Sequence, residues 1–427
     1  MDINLIDKTG KTLVTRQLQK LIDENDELVI NKGIYLTGPL FLHKNFKLIL
    51  NDAILLATID EKEYHDIKTR VAGINMSWYP AIINVIDCDN VEISGNGIID
   101  GNGGYWYKKY WGFDTKGGMR KEYDEKNIRF LCDYDCKRPR NILIQNSHNV
   151  TLDGLTSKDS GFWNIHILYS NNINVKNIII KSDILYSPST DGIDIDSSHD
   201  CIIENVISST NDDSICIKSG RDYDGLRTNI PTHDIIIRNS KILKGFGITI
   251  GSELSGGIYN VTIDNIEYDG TDCAFRIKSS ERRKGYIKNI NINNLKCFNV
   301  KYLININLSW NPNYNKLMIP NNIDIIYKDY YDIIMKEVDD NISNTIIDDI
   351  YLNNIYSRNS NDYDGISRVF HIEGFDNPHI KNIYIDNMDV IANEYGLIKN
   401  IDNLDIKNSN IITKIDIDNK KNDYDNR

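Results

Sequence analysis

The stretch SPSTDGIDIDSS, residues 187–198, sets three carboxylates, Asp191, Asp194 and Asp196, within six residues of a β-branched run. Beyond it, NDDSICIKSG adds Asp212, Asp213 and Lys218, GFGITIGSE adds Phe246 and Glu253, and FRIKSSERRKG adds Arg276 and Lys278. Clustered carboxylates repel one another, so at least one should keep its proton near neutral pH, while adjacent cations hold the others ionised. That division is what general acid–base chemistry requires. Arg276 and Lys278 could also pair with an acidic substrate, and Lys218, Arg221, Arg227, Arg282, Arg283 and Lys284 extend a local positive patch. A lone Asp at a corner is an ordinary turn residue; five charged residues in register are not. The question is what brings them into register.

A repeated phrase supplies the answer: Asn or Asp, then alternating β-branched residues, then Asn. It reads HNVTLDGLT near 148, HDCIIENVI near 199, HDIIIRNSKI near 233, YNVTIDNIEY near 259 and KNININNLK near 288, and copies recur near 89, 172, 348, 379 and 402. Such coils bury their apolar face only by stacking, which builds ladders of parallel strands about 4.8 Å apart. The expected fold is all-β, a single-chain parallel β-helix. TRQLQKLIDENDE, with Leu18, Leu21 and Ile22 at helical spacing, should cap its N-terminal end. We read one solenoid domain over 1–427: a cap region over 1–30, main coils with the site over 31–310, a loop excursion over 311–345, final coils over 346–415 and a charged tail over 416–427. Residues one coil apart lie side by side, so Asp191, Asp212, Asp213, Arg276 and Lys278 form one surface column. Within DGIDID, Ile193 and Ile195 should face the core, and Asp194 and Asp196 should point outward and shape the groove's charge. Trp78, Trp106, Trp111, Trp163 and Trp310 are sugar-stacking platforms or partly buried packing, with the loop GYWYKKYWG at 104–112 the best platform candidate.

Composition narrows the partners. A net charge of −12 over 427 residues argues against nucleic acid, which needs a basic field. No apolar run approaches the ~18 residues of a membrane span. Seven cysteines, scattered and odd in number, suit a reducing compartment; Cys132 and Cys136 read as ordinary thiols, and no metal or other cofactor is expected. With no leader visible the chain reads as cytoplasmic, or as secreted if a leader was removed. The oligomeric state is left open.

STDG at 189–192, NDD at 211–213, GFG at 245–247 and RIK at 276–278 together resemble, in order and spacing, the signature of glycoside hydrolase family 28: Asn-Thr-Asp-Gly, Asp-Asp, Gly-His-Gly and Arg-Ile-Lys. The resemblance covers residues 30–300 well. It implies a right-handed parallel β-helix that hydrolyses α-linked galacturonic acid in pectic poly- or oligosaccharides with inversion. It further implies Asp212 as general acid, Asp191 and Asp213 positioning and deprotonating the water, and Arg276 and Lys278 binding a substrate carboxylate. Lys218, Phe246 and Glu253 join them as candidate substrate contacts. Ser189 stands where the family has Asn, and Phe246 where it has His; Phe neither titrates nor donates, and an apolar wall there would suit a deoxy sugar, which brings rhamnogalacturonan into view. A cytoplasmic enzyme meets short oligosaccharides, so exo action is expected, with the segment from Trp106 to Arg140 closing one end of the groove as a long loop. Alternatives are an endo-acting polygalacturonase, a calcium-dependent lyase on the same fold, and a non-catalytic glycan-binding β-helix protein.

Overall fold

The structure is a computed structural model and describes residues 3, 6–113 and 117–415; the predicted tail, 416–427, lies outside the described residues. Among the described residues, thirty strands join in one continuous system of parallel ladders. Its core is a set of aligned stacks. Ile142, Ile165, Ile193, Ile215, Ile248, Phe275, Ile304 and Phe370 pair in register from rung to rung, and all are buried. Each such side chain contributes roughly 1.5–3 kcal/mol on burial, and β-branched residues fit the pleated surface well.

The Asn that opens each phrase marks a corner. Asn90, Asn149 and Asn172 adopt φ of 57°, 58° and 55°, a left-handed conformation that Asn tolerates better than most residues. The Asn149 amide donates to Asn90 at 2.7 Å and the Asn172 amide to Asn149 at 3.2 Å, so the corner side chains form a ladder of their own. The helix Thr15–Glu24 buries Leu18, Leu21 and Ile22 and covers the N-terminal end, as the apolar spacing predicted.

One segment departs from the expected loop, and the excursion after residue 310 carries two short helices. Trp106–Arg140 is largely helical, with helices Gly103–Trp111, Gly118–Glu125 and Arg129–Asp135. Trp106 and Tyr110, one helical turn apart, are buried, so the aromatic loop expected to stack sugars packs protein instead. Strands also give way after Asn307 to helices Pro312–Asn315 and Tyr330–Met335 before resuming at Ile346. These helices and the antiparallel hairpin Ile67–Val71 and Ile74–Trp78 share a second apolar core that includes Trp78, Tyr134, Phe162, Trp163 and Tyr331. Asp135 binds it together: it accepts from the hydroxyls of Tyr123 at 2.5 Å, Tyr330 and Tyr331, and Lys328 lies 2.8 Å away. The result is a roof over one face of the solenoid.

Candidate active site

The roofed face carries the acids. Side chains that alternate outward from the core stacks make one continuous column of Leu143, His166, Asp194, Cys216, Thr249, Arg276, Asn305 and His371, and beside it two shorter runs, Leu168, Asp196 and Lys218, then Gly251, Lys278, Asn307 and Glu373. Asp191, Asp212 and Asp213 enter from the turns that precede the strands Ile193–Asp196 and Ile215–Lys218. One oxygen from each of these three lies within 4.8 Å of the others. Close rung contact permits this. A Cβ on Gly192 would stand 2.2 Å from the Ser214 carbonyl oxygen, and one on Gly247, at φ +74°, 2.2 Å from that of Cys273.

The three acids differ in their surroundings. Asp213 is fully buried. It accepts from Thr249 Oγ1 at 2.8 Å, from Arg276 and from Lys278 Nζ at 2.6 Å, and Cys216 Sγ lies 3.5 Å away. Burial pushes its pKa up, but Arg276, Lys278 and Lys218 outweigh that and hold it below the usual carboxylate range. Asp212 is half-buried and accepts from the Asp213 backbone N–H at 2.9 Å; burial and then the Asp213 charge raise its pKa. Asp191 is raised as well, by burial and then by Asp212, although Lys218 Nζ stands 3.6 Å away. One carboxylate is therefore firmly ionised beside two that retain protons more readily.

Arg276 and Lys278 flank Asp213 with small exposed remnants. The Arg276 guanidinium lies 4.7 Å over the Phe246 ring and Lys278 Nζ 4.7 Å over Trp310. Phe246 also donates its backbone N–H to the Asp212 carbonyl at 3.1 Å, so it supports both an acid and a cation. Ser189, at φ 54°, hydrogen-bonds Asp133 and Arg138 at 3.2 and 3.3 Å, which ties its turn to the roof. Lys218 and Glu253 are buried and paired at 3.2 Å. Lys218 also contacts Asp194 at 3.5 Å, so both act behind the acids and not at the groove surface.

Asp194 and Asp196 leave the coil interior as strand alternation demands, yet both are fully buried, which corrects the expectation that they shape the groove's exposed charge. The roof covers them. Arg70, from the hairpin, lies 2.7 Å from Asp196, and Arg140 Nη1 lies 2.6 Å from His166 Nδ1. Burial, aided by Arg140 and opposed by Asp196, lowers the His166 pKa to about 4, so this histidine is neutral. Of the tryptophans, Trp78, Trp106 and Trp163 are buried, whereas Trp111 and Trp310 are half-exposed. Thr249 and Cys216 complete the site without having been singled out as parts of it, although they share the register of Asp194 and Arg276, a signal that aligning the strands would have exposed; Trp310, one of the five candidate platforms, lies beside Lys278.

Among the described residues, two groups of side chains converge closely enough to hold a cation, Asp191 with Asp212 and Asp213, and Asp191 with Asp194 and Cys216. In each the positive charge is already supplied, by Lys278 against Asp213 and by Lys218 against Asp191 and Asp194. Beyond Arg276 the floor opens to solvent, and a cleft of about 580 Å³ lies beside it, lined by Asn211, Phe246, Asp272, Lys301 and Tyr363 among others.

A parallel β-helix with graded carboxylates and flanking cations on neighbouring rungs defines a class of solenoid proteins equipped for acid–base work. Comparison with known proteins makes this particular: the family model for glycosyl hydrolases family 28 matches residues 67–354, and the chain belongs to that family. It is 31% identical over 310 residues to a probable polygalacturonase of Vitis vinifera, a match that covers 69% of this chain and 59% of that protein. It is 27% identical over 306 residues to an endo-polygalacturonase of Pectobacterium parmentieri, covering 69% and 71%. The crystal structure of an exopolygalacturonase from Thermotoga maritima superposes with a TM-score of 0.78 at 26% identity, covering 95% of this chain and 89% of that one.

Proposed function

We propose that the protein hydrolyses an α-linked galacturonic acid residue from the end of a pectic chain. The observation that carries this reading is the site's asymmetry: three differently charged carboxyls sit where a roofed groove floor meets an open one. Floor positions from Leu143 to Cys216 are fully buried, Arg276 is 8% exposed, and Asn305 and His371 are partly open. A chain end fits such a groove better than a chain middle. The names of the Vitis vinifera and Thermotoga maritima relatives support galacturonan as substrate, and the latter supports exo action.

Asp212, whose pKa is raised, protonates the leaving oxygen. Asp213, held ionised, and Asp191 orient the water and take its proton. The free donors of Arg276 and Lys278 receive the substrate carboxylate, and Trp310 offers a half-exposed ring beside them. Inverting pairs usually stand roughly 6.5–9.5 Å apart, wider than the closest oxygens here, so inversion is taken from the family and needs its own measurement. Proton NMR of the first product formed should show the β-anomer; the α-anomer would replace inversion by a covalent route.

The deciding assay is reducing-sugar release with product separation from homogalacturonan and rhamnogalacturonan oligomers, for the parent and for Asp212→Asn. Monomer release that falls about 10²–10⁴-fold in the variant is expected, and the oligomer cut faster names the chain. Release of mixed oligomers from the outset would reject exo action, products absorbing in the ultraviolet and abolished by chelator would indicate a lyase, and binding without turnover would leave a glycan-binding protein.

A further inference from the structure

The reading above leaves one buried acid beside the site without a task. Asp194 shares the groove floor with His166 on the preceding rung and Cys216 on the next, and it has no exposed surface. Neither of its oxygens has a hydrogen-bond partner. Asp213, equally buried, has a hydroxyl, a guanidinium and an ammonium. A buried carboxylate without donors is strongly disfavoured, whereas a buried carboxylic acid is far less so. Among the described residues the one cation within 4 Å of Asp194 is Lys218, at 3.5 Å, and that ammonium also faces Glu253 at 3.2 Å and Asp191 at 3.6 Å. Glu253 also has Arg283 at 4.0 Å, so the two carboxyls left to depend on Lys218 are Asp191 and Asp194, and one ammonium shared in this way does not hold both ionised.

The other groups around Asp194 give it no second cation at ion-pair distance. On its own strand and turn stand Asp196 and Asp191; on the next rung Asp213, Cys216 and Lys218; on the preceding rung His166, which is neutral. From the segment before Ile142, Arg140 is hydrogen-bonded to His166, and from the hairpin Arg70 is engaged by Asp196. Glu253 reaches the group through Lys218. Burial and then the Asp191 charge raise the Asp194 pKa well above the usual carboxylate range, in the same direction as the geometry.

We infer that Asp194 serves as an uncharged carboxyl, a positioning residue that seats Lys218 beside Asp191 without drawing on its charge. Lys218 then spends its field on Glu253, which anchors it, and on Asp191, which must ionise to receive the water's proton. The inference rests on the hydrolase reading for its consequence and on the burial and contacts of Asp194 for its chemistry.

Infrared difference spectra of the full chain, parent against Asp194→Asn at neutral pH, are expected to show a protonated-carboxyl C=O stretch lost with the substitution. A pair of carboxylate stretches in its place would overturn the inference. In the pectic-oligomer assay, Asp194→Ala should lower kcat about tenfold or more with KM little changed, and shift the acidic limb of kcat up by ~0.5 unit or more as Lys218 loses its seat. Asp194→Asn, uncharged and of the same shape, should restore most of both. An alanine variant indistinguishable from the parent, or an acidic limb that falls in the asparagine variant, would sink the positioning role. Should circular dichroism show the alanine variant unfolded, Asp194→Ser replaces it. A parent inactive on every glycan defeats the hydrolase reading instead, and the infrared spectrum still decides the charge of Asp194.

Discussion

At the scale of single residues, the site separates its carboxyls by environment. Asp213 sits among donors, whereas burial and a neighbouring carboxylate act on the other two, Asp213 on Asp212 and Asp212 on Asp191. Because the groups interact, the acidic and alkaline limbs of a pH–rate profile belong to the cluster as a whole. Arg276 is the lever on that cluster. Replacing it by Met removes the first of the cations that outweigh burial at Asp213, so the Asp213 pKa rises and the acidic limb of kcat/KM should move to higher pH. KM for an oligomer ending in galacturonate should rise as well. An unmoved limb would assign the base to Asp191 alone. The same substitution breaks a buried ion pair, and its stability cost should be about 3–5 kcal/mol by denaturant titration.

At the scale of elements, the roof decides which part of the floor is reachable. Tyr331 is fully buried and joins the helix Tyr330–Met335 to Asp135 of the helical insert. Tyr331→Ala should cost roughly 3–5 kcal/mol and loosen the closed end, so products should move from monomer towards mixed oligomers; a lower Tm with an unchanged product ladder would show that the roof does not set the cutting mode. The repeats and the cap were legible in the sequence because alternation and apolar spacing are local signals: Ile193 and Ile195 face the core and Leu18, Leu21 and Ile22 cover its end. The candidate site was legible for the same reason, its members falling on neighbouring coils within four rungs. The roof was not. Arg70 meets Asp196 across 126 residues, and no periodicity announces such a contact. Nor are the helices of the insert legible: the segment reads as a polar loop crowded with aromatics, whereas Trp106 and Tyr110 use their faces for packing.

At the scale of the whole molecule, the proposed reaction has a chain of net charge −12 present a local cationic site to an anionic polymer. Like charge at long range should slow encounter at low ionic strength, so kcat/KM should increase as salt is raised from about 10 to about 150 mM and the Debye length shrinks from about 30 to about 8 Å. A steady fall over that range would show that the cations at the site dominate even at a distance. The ladder itself imposes a different limit. Asp191, Asp212 and Arg276 ride on separate rungs whose spacing is set by backbone hydrogen bonding at about 4.8 Å, so the separations along the axis are quantised. No side-chain substitution inserts half a rung. A coil added before the roofed floor or beyond Glu373 would leave the spacing of the site intact, while a coil added between Asp191 and Arg276 would displace one partner by a full step. Divergence in such a scaffold is thus free to lengthen the rod at its ends and is confined, within these few coils, to changing the charge and cover of groups whose axial positions are already set.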